Sequence, residues 1–141
     1  MKRLLPLTVM VMLTATVNAQ TLIGRIQEGP FIQAELYSNH TATDSSYFLR
    51  FDDFTTLQEV TYDTLYIPGG NTQINDLYKV LKNGMRHEVG YTDERNYGGV
   101  PVSFVSGKLV GLKYVRLGKG NAWINIHKNG LDYLFGLKKH I

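Results

Sequence analysis

No cysteine occurs among the 141 residues. That absence excludes disulfide bracing, thiol catalysis and every metal site built on thiolates. Motif chemistry is missing as well. There is no G-x-S-x-G elbow, no Ser-x-x-Lys pair and no phosphate-cradling glycine loop followed by lysine. The pairs Gly69-Gly70 and Gly98-Gly99 lack the spacing that such a loop needs. Neither sign of charge dominates, with 15 basic against 12 acidic residues. A near-neutral exported chain is a poor ligand for nucleic acid. After the first 20 positions no apolar run approaches the roughly 20 residues that a membrane-spanning helix requires.

What stands at the front reads as an export leader. Lys2 and Arg3 precede an apolar run from Leu4 to about Val17, and Val17-Asn18-Ala19 suits signal peptidase. Cleavage is expected after Ala19, so residues 1–19 form a signal peptide. The mature chain is then 141 − 19 = 122 residues, a length that suits one compact domain over residues 20–141. Without a cysteine at the cleavage point no lipid anchor of the lipobox type is expected. The short basic start fits a bacterial exporter, which places the chain in the periplasm or outside the cell.

The mature charges are unevenly spread. From Gln20 to Gly107 there are six basic and eleven acidic residues, and from Lys108 to Ile141 seven basic and one acidic. A basic end attracts phosphate-bearing lipids or anionic glycans, unless the two halves neutralise each other within the fold.

Periodicity predicts an α+β fold: an antiparallel β-sheet with one main helix over about residues 72–83 and a short C-terminal helix packed on it. Strands are expected at Leu22–Gln27, Phe31–Tyr37, Tyr47–Phe51, Leu57–Ile67, Arg86–Tyr91 and Asn121–His127. A hairpin is expected with Pro101–Val105 and Lys108–Leu117 flanking a Ser106-Gly107 turn. Ser38–Ser46 and Thr92–Gly99 read as loops, and Gly118-Lys119-Gly120 as a turn. The main helix is marked by Ile74, Leu77, Tyr78 and Leu81 on one face, with Asn71 or Thr72 as cap and Asn83-Gly84 as stop. Leu131, Leu134 and Phe135 share a face of the short last helix. No internal repeat is visible.

Candidate chemistry is thin. The histidines, His40, His87, His127 and His140, share no metal-binding spacing. Asp52-Asp53 and Asp93-Glu94 are adjacent acids at expected turns, where carboxylates commonly bind local amides. Asp93, Glu94 and Asn96 offer clustered oxygens for calcium but match no calcium-loop spacing. Asn39-His40-Thr41 is a glycosylation sequon, of consequence only in a eukaryotic secretory route. No catalytic residue, metal site or cofactor is assigned.

The single tryptophan is the clearest ligand-binding candidate. With Ala122, Ile124 and Ile126 facing the core, Trp123, Asn125 and His127 form one row on the opposite face. Lys113 and Arg116 lie nearby in sequence. Such a row can stack on a sugar ring or a peptide side chain, or serve a subunit contact. The leading expectation is an extracytoplasmic, non-catalytic binding or accessory domain whose partner is a protein, a cell-wall component or a glycan. One alternative is a small hydrolase that assembles His87 or His127 with Asp52, Asp53, Asp93 or Glu94. The other is a self-associating protein, such as a homodimer, paired along Leu57–Ile67 or the Pro101–Leu117 hairpin.

Overall fold

A computed structural model describes residues 19–41, 44–55 and 59–139. The expected leader, except for Ala19, and His140 lie outside the described residues, as do the first two positions of the expected Leu57–Ile67 stretch. The α+β expectation holds: antiparallel strands, one long helix and a short C-terminal helix. The strands are divided between two sheets. Strands β1 (Ala19–Glu28), β2 (Phe31–His40), β3 (Ser45–Asp52) and β4 (Tyr62–Ile67) form one four-stranded meander, here called sheet A. Helix α1 (Gly70–Arg86) follows. Strands β5 (Thr92–Tyr97), β6 (Val100–Leu109), β7 (Leu112–Lys119) and β8 (Ala122–His127) form a second meander, sheet B, and α2 (Lys128–Leu134) ends the fold.

Each sheet is apolar on one face because its strands alternate. Ala34, Leu36, Leu49, Phe51, Leu65 and Ile67 are fully buried on sheet A; Val115, Leu117, Ile124 and Ile126 are fully buried on sheet B. Ile74, Leu77, Val80, Leu81 and Met85 of α1 and Leu131 and Leu134 of α2 join them in one core. Helix α1 touches β3 and β4 of sheet A and β5, β6 and β7 of sheet B, while α2 lies mainly on β1.

Several boundaries differ from expectation, each for a local reason. The main helix starts at Gly70, with Gly69 as its N-cap at φ 91° and no side-chain cap. Asn71 does not cap; its side-chain oxygen accepts a 2.6 Å hydrogen bond from the Tyr47 hydroxyl. Nor does Asn83-Gly84 stop the helix, which runs on to Arg86. Gly84 is a packing residue: a Cβ there would sit 2.7 Å from Val115 Cγ2. Beside it the Ser106 hydroxyl donates a buried 2.7 Å hydrogen bond to the Gly84 carbonyl. Ser106-Gly107 therefore lies inside β6 rather than at a turn. The chain reverses at Val110-Gly111, where both residues have positive φ, 48° and 79°.

The expected strand Arg86–Tyr91 is the end of α1 and a turn, and the expected loop Thr92–Gly99 contains β5. Strand β5 is polar because its inward residues satisfy one another. Arg95 pairs with Asp93 and, at 3.4 Å, with Asp76 of α1; the Tyr97 hydroxyl donates to Asp76 at 3.0 Å. Burial first, and then this bond, holds the Tyr97 phenol far above its usual pKa.

The order strand-strand-strand-strand-helix occurs twice, and the two meanders share more than topology. Phe48-Leu49-Arg50-Phe51 on β3 and Tyr114-Val115-Arg116-Leu117 on β7 occupy the same place, with Leu49, Phe51, Val115 and Leu117 buried. Arg50 lies over the Tyr62 ring at 3.9 Å, and Arg116 over the Trp123 ring at 3.9 Å. The register offset is also the same. Each ring belongs to the residue paired two positions beyond its arginine, Asp52↔Tyr62 in one sheet and Gly118↔Trp123 in the other. The fold is a tandem of two ββββα units.

Helix α2 lies directly on β1 at Gly24, where a Cβ would meet the Tyr133 and Leu134 carbonyl oxygens at 2.0 and 2.5 Å. Gly24→Ala is expected to cost about 3 kcal/mol or more, because a backbone segment must move. Gly84→Ala is expected to lose stability too, although alanine in a helix ordinarily gains about 1 kcal/mol over glycine. Urea denaturation of the two variants checks both signs; a stabilised Gly84→Ala would contradict the close helix–sheet approach.

Candidate functional site

The outer face of sheet B carries the row read from the sequence. Trp123, Asn125 and His127 are half-buried on β8 and alternate with the buried Ala122, Ile124 and Ile126. Arg116 joins them by register: it pairs with Asn125 across the strands and donates from Nε to the Asn125 side-chain oxygen at 3.0 Å. Tyr114 meets His127 edge-on with ring centroids 5.7 Å apart. Lys113 does not join the group. It alternates with Tyr114 and so points to the other side of β7, opposite Lys108.

Trp123 is already engaged. Arg116 covers one face, and Phe54 meets its edge with centroids 5.6 Å apart. Its backbone is clasped by the turn after β3. The Phe54 amide donates to the Trp123 carbonyl at 2.9 Å, and the Trp123 amide donates to Asp53 Oδ1 at 3.3 Å. Lys119 completes the seam between the sheets, donating to Asp63 Oδ1 at 2.9 Å and to the Thr64 carbonyl at 2.8 Å. The tryptophan row is thus the joint between the two units.

The corresponding face of sheet A has no such cover among the described residues. Two rows cross its four strands by direct register: Leu22, Tyr37, Phe48 and Tyr66, and beside them Arg25, Glu35, Arg50 and Thr64. Glu35 is only 5% exposed although it lies on an outer face. The Tyr37 hydroxyl donates to it at 2.5 Å, and Arg50 and Arg25 approach at 3.5 and 3.9 Å. The bond to Glu35, followed by burial, raises the Tyr37 phenol pKa. Tyr62 spans the neighbouring strand, with Arg50 under its ring and its hydroxyl donating to the Ile32 carbonyl at 3.2 Å. Tyr66 is 46% exposed and packs on Phe48 at 5.1 Å between centroids.

At the end of the aromatic row lies a hollow of about 640 Å³, bordered by Asn39, Ser46, Phe48, Tyr66 and Pro68. The Asn39 side-chain oxygen is buried there without a hydrogen-bond partner among the described residues. A buried acceptor left unpaired is costly, and a donor from a ligand relieves that cost. Asn39 thus sits on a strand, not in the expected Ser38–Ser46 loop, whose ends lie on β2 and β3.

The acids and histidines are dispersed. His40 Nδ1 lies 2.9 Å from Ser45 Oγ, and His87 stacks on Tyr91 with centroids 3.7 Å apart. Glu94 and Asn96 project from one face of β5 and Asp93 from the other, and Asn96 accepts from the Gly99 amide. Among the described residues no three His, Asp or Glu side chains are grouped to hold a metal ion. The Pro101–Leu117 stretch is not at an edge, since β6 and β7 are the interior strands of sheet B.

Neither a protein-family model, nor a curated protein, nor a solved structure matches this chain.

Asp53 couples the joint to pH. Its carboxylate accepts from the Thr55 amide, the Thr55 hydroxyl and the Trp123 amide, and the Thr55 amide is the main cause of its lowered pKa. Its stabilising effect is complete above the ordinary carboxylate value of about 3.9 and is lost as pH falls through the lower native value. Burial raises the neighbouring Asp52, which works in the opposite sense. The acid-induced fall in denaturation midpoint, between about pH 6 and about pH 2.5, is therefore expected to be shallower in Asp53→Asn than in the parent chain. Equal falls would contradict the clasp.

Proposed function

We propose that the chain is an extracytoplasmic, non-catalytic binding domain that docks a protein partner on the outer face of sheet A. The leader-like residues 1–19 support the compartment. The open rows on sheet A carry the rest. They combine tyrosine, phenylalanine and arginine, the side chains enriched at protein contacts, and they contain no lysine, which such contacts disfavour. Lysine is in fact missing from the whole stretch between Lys2 and Lys79. The two units carry the same arginine-on-ring device, yet only the Trp123 copy is consumed by packing. The Tyr62 copy stays open on the face that also carries the apolar row and, beyond Tyr66, a hollow with an acceptor unpaired among the described residues.

On this reading a peptide segment lies across the strands, stacks on Tyr62 and Tyr66, and places a donor beside Asn39. Arg25, Glu35 and Arg50 form the polar centre, already paired before binding, so little side-chain order is lost on docking.

A photo-crosslinking residue at Thr64 in the intact producing cells tests the proposal. A discrete adduct containing a second protein is expected, with none from a probe at the exposed Lys79 of α1. Arg50→Ala with Tyr66→Ala is expected to reduce the Thr64 adduct about tenfold or more, in keeping with the loss of two central contacts. Equal adducts from both positions, or an adduct made only of this chain with itself, would overturn it.

A further inference from the structure

The β6–β7 hairpin ends in an apolar tip. Leu109 and Leu112 pair across the strands, and Val110-Gly111 makes the turn between them. Val110 is 94% exposed, and the two leucines are more than half exposed. A turn with positive φ at both central residues favours asparagine or aspartate before glycine. A β-branched side chain in that position is a genuine outlier. Val110 thus works against the stability of its own hairpin, and its exposure shows that no packing among the described residues compensates.

A patch of positive charge lies one step behind the tip, with Lys108 and Lys113 on the opposite face of the hairpin from Leu109 and Leu112. Lys108 and Lys113 are cross-strand partners in the adjoining row. With Leu112, His127, Lys128 and Asn129 they border one shallow hollow. None of the three lysines forms an ion pair among the described residues. The β1–β2 turn reaches the same end of the molecule, where Gln27, Glu28 and Gln33 line a second hollow with Leu112 and His127. Phe31, the first residue of β2 after that turn, is 67% exposed. Glu28 is the one acid bordering either hollow, against three lysines.

We infer that this hairpin tip inserts into the headgroup region of an anionic bilayer, with Leu109, Val110 and Leu112 entering the interface and Lys108, Lys113 and Lys128 meeting lipid phosphates. Charge complementarity selects the occupant. Apolar side chains backed by a lysine patch match an apolar layer beneath a negative surface, and the lysines set the depth. Anchorage of this kind is weak and reversible, and it leaves the outer face of sheet A free.

Cosedimentation with vesicles tests the inference, using phosphatidylglycerol mixed with phosphatidylethanolamine, and phosphatidylcholine alone. Binding is expected only to the anionic vesicles, and raised salt is expected to weaken it. Replacing Lys108, Lys113 and Lys128 by glutamine is expected to weaken it by roughly fivefold per lysine. Val110→Asn is the sharper variant, because Asn-Gly suits the turn. It is expected to fold at least as stably as the parent chain while binding anionic vesicles about tenfold less well. Any leader that remains contributes equally to both. Equal vesicle binding by a folded Val110→Asn chain, or equal binding to neutral and anionic vesicles, would overturn the inference.

Discussion

The structure depends on one helix serving two sheets. Each meander has a single apolar face, and neither has disulfides to hold it when that face is open to water. Helix α1 touches both sheets, and its close contact at Gly84 brings Val115 and Ser106 against the helix backbone. Burial there removes apolar surface from both units at once, which is the dominant favourable term in a fold of this size. A second joint lies on the outside, where the turn after β3 grips Trp123. These two contacts make one body of a repeated unit.

The repeat also makes the two outer faces directly comparable. Both place an arginine on the third strand over an aromatic ring on the fourth. In sheet B the pair is covered by Phe54 and consumed in the joint. In sheet A it remains open, on the same face as a hollow bordered by Tyr66 and by Asn39, whose buried side-chain oxygen has no hydrogen-bond partner among the described residues. The structural role of one copy and the binding role proposed for the other rest on what lies above each ring rather than on the rings themselves.

Much of this was legible in the residues. The α+β class followed from the alternation of Phe31–Tyr37 and Ala122–His127 and from the apolar face of α1. The outward row of Trp123, Asn125 and His127 followed from strand alternation alone. Other features were hidden for physical reasons. Ser106-Gly107 has turn composition, but Ser106 faces Gly84 inside the core and the Tyr114 ring lies over Gly107. Val110-Gly111 does not resemble a turn, because valine is disfavoured there. Strand β5 is polar because Asp76 of α1, sixteen or more residues away, satisfies its inward side. The repeat is not legible in the sequence because the two units share only a short apolar-arginine-apolar pattern, on strands of equal place but different neighbours. Tyr62 and Tyr66 were visible only as part of an extended stretch; that they join Arg50 and Phe48 on one open face depends on register.

The two arginine-on-ring pairs differ in setting, one packed into a joint and the other open on the proposed docking face. Comparing the urea denaturation of Trp123→Ala with that of Tyr62→Ala tests it most directly. The account predicts a loss of about 2–4 kcal/mol for the tryptophan variant, in the range of buried aromatic truncations. For the tyrosine variant it predicts about 1 kcal/mol or less, as for an exposed site. Comparable losses at the two positions would contradict it.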